Sequence, residues 1–145
     1  MQATDTVTLA RALMNYHGLG HWLFQFDRAK RRAGCCKYSR SMITLSIYYV
    51  SRNGEEDVRD TILHEIAHAL AGPGTGHGRI WKLKCLEIGA RPVRCYSRDV
   101  DMPEGRYSAT CGGCQRKFVR HRRRKRTLYC SACGPEIGRL SFSEK

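Results

Sequence analysis

The residues His64-Glu65-Ile66-Ala67-His68 form an HExxH sequence, set in the stretch of this chain where apolar residues best follow helical spacing. At about 100° per residue, positions four apart on a helix differ by about 40°, so both imidazoles can face one zinc ion. Glu65, one residue round, then reaches a water on that metal. Bound zinc brings such a water to a pKa of about 7 and polarises a carbonyl, while a carboxylate beside it takes the proton and returns it to the leaving group. That is the chemistry of peptide-bond hydrolysis. A solvated helix face is the plainer reading, but such a face gains little from two histidines among Ile, Ala and Leu.

A catalytic zinc takes three protein ligands and keeps one position open. Two residues compete for the third place. His77, in Gly74-Thr75-Gly76-His77-Gly78, lies nine residues past His68, where glycines let the backbone turn back. Glu87 lies 19 residues past His68 on the next expected helix, a spacing used where glutamate is the third ligand. The metzincin arrangement fails because position 74 is glycine.

A second cluster is Cys111-Gly112-Gly113-Cys114, followed after 15 residues by Cys130-Ser131-Ala132-Cys133. Two knuckles of this spacing close a tetrahedral four-thiolate zinc, with Gly112, Gly113 and Gly134 relieving the turns. A redox CxxC is the competing reading, and two spaced pairs in a Gly-rich basic tail weigh against it. Between the knuckles, Arg116, Lys117, Arg120, Arg122, Arg123, Arg124, Lys125 and Arg126 put eight cations in eleven positions, with Phe118 and Tyr129 nearby. Arginine forks grip phosphates and aromatics stack on unpaired bases, so the run is expected to hold DNA without sequence preference, single strands included. The bland alternative is a solvated hairpin tip. Lys30, Arg31 and Arg32 can extend the basic surface beside the cleft, while His17, His21 and His121 are not expected to be ligands.

At 145 residues, with 41% hydrophobic and 27% charged residues, the chain is the size of one ordinary domain and has the material for a modest core. Residues 106–145 hold 11 Lys or Arg and 2 Asp or Glu, and so carry +9 of the formal +13. The expected division is therefore 1–105 and a basic module at 106–145, with polyanions as partners. No apolar run of about 18 residues, no basic leader and no apolar h-region is present, which points away from membranes and to the cytoplasm. Four of the eight cysteines fall in the CxxC pairs, while Cys35, Cys36, Cys85 and Cys95 have no assigned role.

The elements that must place these residues follow from periodicity. Thr4 or Thr6 caps a first helix through Val7, Ala10, Leu13 and Met14, ended by Gly18 and Gly20. Trp22, Phe24 and Phe26 alternate as core aromatics on a strand, and residues 41–50 read as a second strand. Residues 51–54 make a turn, and Glu55, Glu56 and Asp57 suit the positive end of the HExxH helix. Gly72-Pro73-Gly74 stops it. A third helix spans about residues 79–88 with Trp81, Cys85 and Ile88 on one face and Gly89 as its C-cap. Residues 90–106 read as a connector with one short strand.

The sequence resembles the SprT-like zinc metallopeptidases, a family that includes the bacterial SprT proteins and the eukaryotic Spartan protease domain. The likeness rests on WLFQFDRAK at 22–30, the Gly34-Cys35-Cys36 turn, ITLS at 43–46, TILHEIAHALAG at 61–72 and GHGRIWK at 76–82. It implies an α+β fold: a compact zincin-like metallopeptidase domain of about three helices and a small sheet, followed by a C-terminal zinc ribbon. It also implies His77 as third ligand beside His64 and His68, Glu65 as general base and acid, and one catalytic and one structural zinc. The expected activity is a zinc-dependent endopeptidase acting on flexible or DNA-associated proteins. The alternative is a non-enzymatic nucleic-acid-binding protein with two structural zinc sites, against which an intact Glu65 argues.

Overall fold

A computed structural model describes residues 1–93 and 104–144. The chain divides into two compact units, Met1–Met102 and Pro103–Lys145. None of the described helices is long and apolar enough to cross a membrane.

The first unit opens with α1 (Ala3–Tyr16), which buries Thr6, Ala10, Leu13 and Met14. The expected threonine cap is not used. Gln2 holds the cap position without a side-chain bond, and Thr6 Oγ1 instead donates back to Gln2 O at 2.9 Å. Strands β1 (Leu23–Asp27), β2 (Gly34–Lys37) and β3 (Met42–Ser46) form a sheet in the order β1-β3-β2, parallel between β1 and β3 and antiparallel between β3 and β2. Central β3 is buried throughout, as a strand covered on both faces must be. Phe24 and Phe26 pair with Ile43 and Leu45, while Gly34 and Cys36 stand opposite Leu45 and Ile43, so these six share one face. The aromatics are half-buried against the core.

Two parts of this sheet differ from the periodicity. The Gly34-Cys35-Cys36 stretch is the edge strand β2 rather than a turn. Its four residues contain no Val, Ile or aromatic to signal it. The strand expected over 41–50 stops at Ser46, whose side chain caps a helix by accepting from Tyr49 N at 3.4 Å. That helix, α2 (Ile47–Arg52), covers most of the residues read as strand end and turn, and makes four helices in this unit where about three were expected.

Helix α3 (Glu55–Ala71) starts with Glu55, Glu56 and Asp57 at its positive end and packs against α1, β2, β3 and α4. It ends at Gly72, at φ 92°, and α4 (Arg79–Ile88) follows with Gly89 left-handed at its C-cap. Beyond α4, Arg91 clamps the chain to α3: its backbone N donates to Asp60 Oδ1 at 3.0 Å and its Nε to Asp60 Oδ2 at 3.1 Å. The connector strand expected within 90–106 falls largely on residues 94–103, outside the described ones.

In the second unit β4 (Tyr107–Thr110) lies between β5 (Lys117–Arg120) and β8 (Ser143–Glu144), and β6 (Leu128–Tyr129) pairs with β7 (Arg139–Leu140) next to the single turn α5 (Gly134–Ile137). Its buried apolar cluster consists of Ala109, Cys111, Cys130 and Leu140.

Candidate metal centres

His64 and Glu65 lie on the buried side of α3, 6% and 4% exposed, and His68 is one turn further on. The loop after α3 returns His77 to them. Gly74 and Gly76 have φ of 82° and 53°, a region that L side chains rarely adopt, while Thr75 Oγ1 donates to Gly72 O at 2.8 Å. His77 Nε2 then stands 3.0 Å from His68 Nε2 and 3.2 Å from His64 Nε2. Glu87 is not part of this cluster; it is exposed and accepts from Lys84 Nζ at 3.1 Å.

Three imidazole nitrogens this close fit a tetrahedral zinc, whose bonds of about 2.0–2.1 Å place ligand nitrogens about 3.3–3.4 Å apart. Burial drives the His64 and His68 rings to the neutral, ligating form. Desolvation, with His68 and His77 adding to it, takes His64 down to about 3. Desolvation and His77 take His68 down to about 4. Burial also pushes Glu65 up to about 8, with Arg32 opposing the shift and Asp27 adding to it. In the metal-free chain, Glu65 can therefore hold or release a proton near neutrality.

What supports the rings was not visible in the sequence. Trp81, expected only as a core residue of α4, is fully buried and touches all three imidazoles, with centroids 4.7 Å from His64, 5.3 Å from His68 and 4.7 Å from His77. Its Nε1 donates to His64 O at 3.4 Å. Tyr38, just after β2, donates from its hydroxyl to His68 O at 3.0 Å. Gly34 leaves space for the carboxylate: a Cβ there would lie 3.1 Å from Glu65 Cγ and Oε1. Helical periodicity identifies the buried face of α4 but cannot say which ligands Trp81 meets. The buried Tyr49 hydroxyl accepts from Thr61 Oγ1, one turn before His64 on α3, at 2.8 Å.

The second cluster gathers Cys111, Cys114, Cys130 and Cys133. Sγ of Cys114 and Cys130 are 3.7 Å apart, far beyond a disulfide bond and close to the spacing of about 3.8 Å implied by zinc–sulfur bonds of about 2.3 Å. Close approach accounts for Gly113, where a Cβ would fall 2.9 Å from Cys133 Sγ, and φ of 75° accounts for Gly134. Gly112 shows neither need. Gly138, not singled out in the sequence, does: a Cβ there would lie 2.9 Å from Cys133 Cβ. Backbone N–H groups of Cys114 and Gly113 lower the Cys111 thiol, which favours the ligating thiolate.

Among the described residues these are the two groups of three or more His, Cys, Asp or Glu able to hold a metal ion. His17, His21 and His121 belong to neither. Burial pushes Cys36 up to about 12 and Cys85 up to about 11, which makes them unreactive thiols. Cys95 lies outside the described residues.

An α+β unit with an HExxH helix and a returning third histidine, joined to a four-cysteine module, defines a metal-binding protein of the HExxH class. The comparison with known families narrows this. The SprT-like family model matches residues 6–101, and the chain belongs to that family. It is 30% identical over 114 residues to Protein SprT of Glaesserella parasuis serovar 5 (strain SH0165), which covers 71% of this chain and 73% of that protein. No solved structure matches significantly.

Proposed function

We propose that the chain is a zinc-dependent endopeptidase that hydrolyses peptide bonds in flexible or DNA-associated proteins, with one zinc held by His64, His68 and His77 and a structural zinc held by the four cysteines. The observation that carries this reading is the buried Glu65 carboxylate on the same helix as two of the converging imidazoles. A purely structural metal site has no use for it. Zinc, when bound, supplies a Lewis acid and an acidified water. Glu65 accepts the proton from the attacking water at a carboxylate oxygen and passes it to the amide nitrogen of the leaving segment. Trp81 and Tyr38 hold the imidazoles and the α3 backbone in place.

Strand β2 offers a place for the polypeptide. Ser46 N donates to Ala33 O at 2.8 Å, and with the antiparallel register this makes Cys35 and Lys37 the bonded partners of β3. The N–H and C=O groups of Gly34 and Cys36 therefore face the open edge, on which none of the described strands lies. An extended segment that pairs there passes beside Glu65. Only a locally unfolded protein can present such a segment, hence the flexible substrate.

The DNA part of the reading rests on the ribbon. Arg122, Arg123, Arg124, Lys125 and Arg126 are all exposed, and none has an ion-pair partner among the described residues. Reduced ribbon thiols suit the cytoplasm.

The direct test is cleavage of a reduced, carboxymethylated protein by enzyme of known zinc content. Hydrolysis that stops with a zinc chelator and returns with added zinc is expected. Two tightly held zincs without hydrolysis would favour the non-enzymatic nucleic-acid-binding alternative.

A further inference from the structure

We propose that residues 28–40 form a second phosphate-binding surface, on the first unit, which holds nucleic acid along the rim of the Glu65 site independently of the ribbon. This segment carries Arg28, Lys30, Arg31, Arg32, Lys37 and Arg40, six cations and no acidic residue in thirteen positions. Only Arg32 is neutralised, by Asp27 Oδ2 at 3.2 Å. Among the described residues, Arg28, Lys30, Arg31, Lys37 and Arg40 have no carboxylate in ion-pair range, and Arg28, Lys30, Arg31 and Arg40 are exposed.

The cations are displayed from a fixed backbone. Asp27 Oδ1 accepts from Ala29 N at 2.9 Å, and Ser46 bonds both ends of the loop, from its Oγ to Ala29 O at 2.5 Å and from its N to Ala33 O at 2.8 Å. Ala33 is buried. Lys30 Nζ sits 5.8 Å from the centre of the Tyr48 ring. A loop already ordered loses little further entropy on binding, which separates this display from a floppy charged tail.

The place matters as much as the charge. Arg31 is three residues from Gly34, which abuts the Glu65 carboxylate, and Lys37 and Arg40 stand at the far end of β2. Positive charge thus frames a strand about 13 Å long, at about 3.3 Å per residue, beside the reacting groups. An acidic polypeptide would have to carry its carboxylates at both ends in one register. A phosphodiester chain presents a charge at every nucleotide and meets the spacing whatever its sequence, so nucleic acid is the better fit. A protein attached to that strand would be brought to the site by it.

The test uses the full-length, zinc-loaded protein and a fluorescent twenty-nucleotide poly-dT probe across a range of salt. Four proteins are compared: wild type, the loop variant Arg28→Ser/Lys30→Gln/Arg31→Ser, the ribbon variant Arg122→Ser/Arg123→Ser/Arg124→Ser, and the variant that combines both sets. Zinc content and thermal melting serve as the folding control. At about 0.7 per lost phosphate contact, the loop variant should flatten the slope of log affinity against log salt by about two, and weaken binding at least about tenfold near 0.1 M salt. Adding the ribbon substitutions should weaken it further. If the loop variant binds with wild-type affinity and slope while the ribbon variant does not, this surface is refuted and the ribbon reading survives. A raised KM for an acidic peptide with unchanged DNA binding would refute it too, in favour of an acidic substrate.

Discussion

Seventeen buried side chains, five of them on the HExxH helix itself and Trp81 and Tyr49 among the rest, form the core of the first unit, whereas the buried cluster of the second has four members, two of which are the candidate ligands Cys111 and Cys130. In the first unit the core places the ligands, and the His cluster can exist before any metal arrives. In the second, the candidate ligands are half of the core, so metal binding and folding are expected to be one event.

The largest effect expected from this contrast comes from stripping both metals. Structural zinc contributes about 10–16 kcal/mol in small zinc-dependent modules, so the ribbon should unfold, while the first unit should stay folded. Hydrogen exchange is the measurement. Amides of β4 and β5 should lose protection and those of α3 should keep it; a ribbon still protected without metal would mean that its fold does not depend on the cysteine site.

Trp81→Ala comes next. Removing a fully buried tryptophan costs about 3–5 kcal/mol, here within the first unit. Because the ring supports all three imidazoles, retention of metal at the His cluster should also weaken by about ten- to a hundredfold, with the cysteine site unaffected. Urea unfolding and metal competition measure the two effects separately. Gly34→Ala is a smaller change: its Cβ would press on Leu45 Cδ2 at 3.0 Å and on Glu65 at 3.1 Å. Overpacking of this kind costs about 1–3 kcal/mol, and displacing the carboxylate should lower kcat about tenfold with zinc content unchanged. Equal kcat in the alanine variant would remove Gly34 from the site.

The sequence made legible what depends on neighbours along the chain. The bounds of α4 and its Gly89 cap, the acidic start of α3 and its glycine stop, and the HExxH and CxxC spacings all follow from local pattern. Residues 41–50 misled because Ile47, Tyr48, Tyr49 and Val50 suit a strand by propensity, and only the Ser46 cap and tertiary packing turn them into a helix. Strand β2 was hidden because its residues carry no strand signature; pairing with β3 makes it one. The roles of Trp81, Tyr38 and Gly34 arise from contacts between segments 17 to 31 positions apart, which no local period encodes.

In the proposed reading the core-built site is a reaction centre and the thiolate site is not. Glu65→Gln tests it most directly, since it keeps the size of the side chain and removes its basicity. The zinc-loaded variant should retain two zincs per chain and lose at least about a hundredfold in hydrolysis of an unfolded protein, the scale of a lost general base. Hydrolysis near the wild-type rate in a preparation free of other peptidases would show that Glu65 is not the general base.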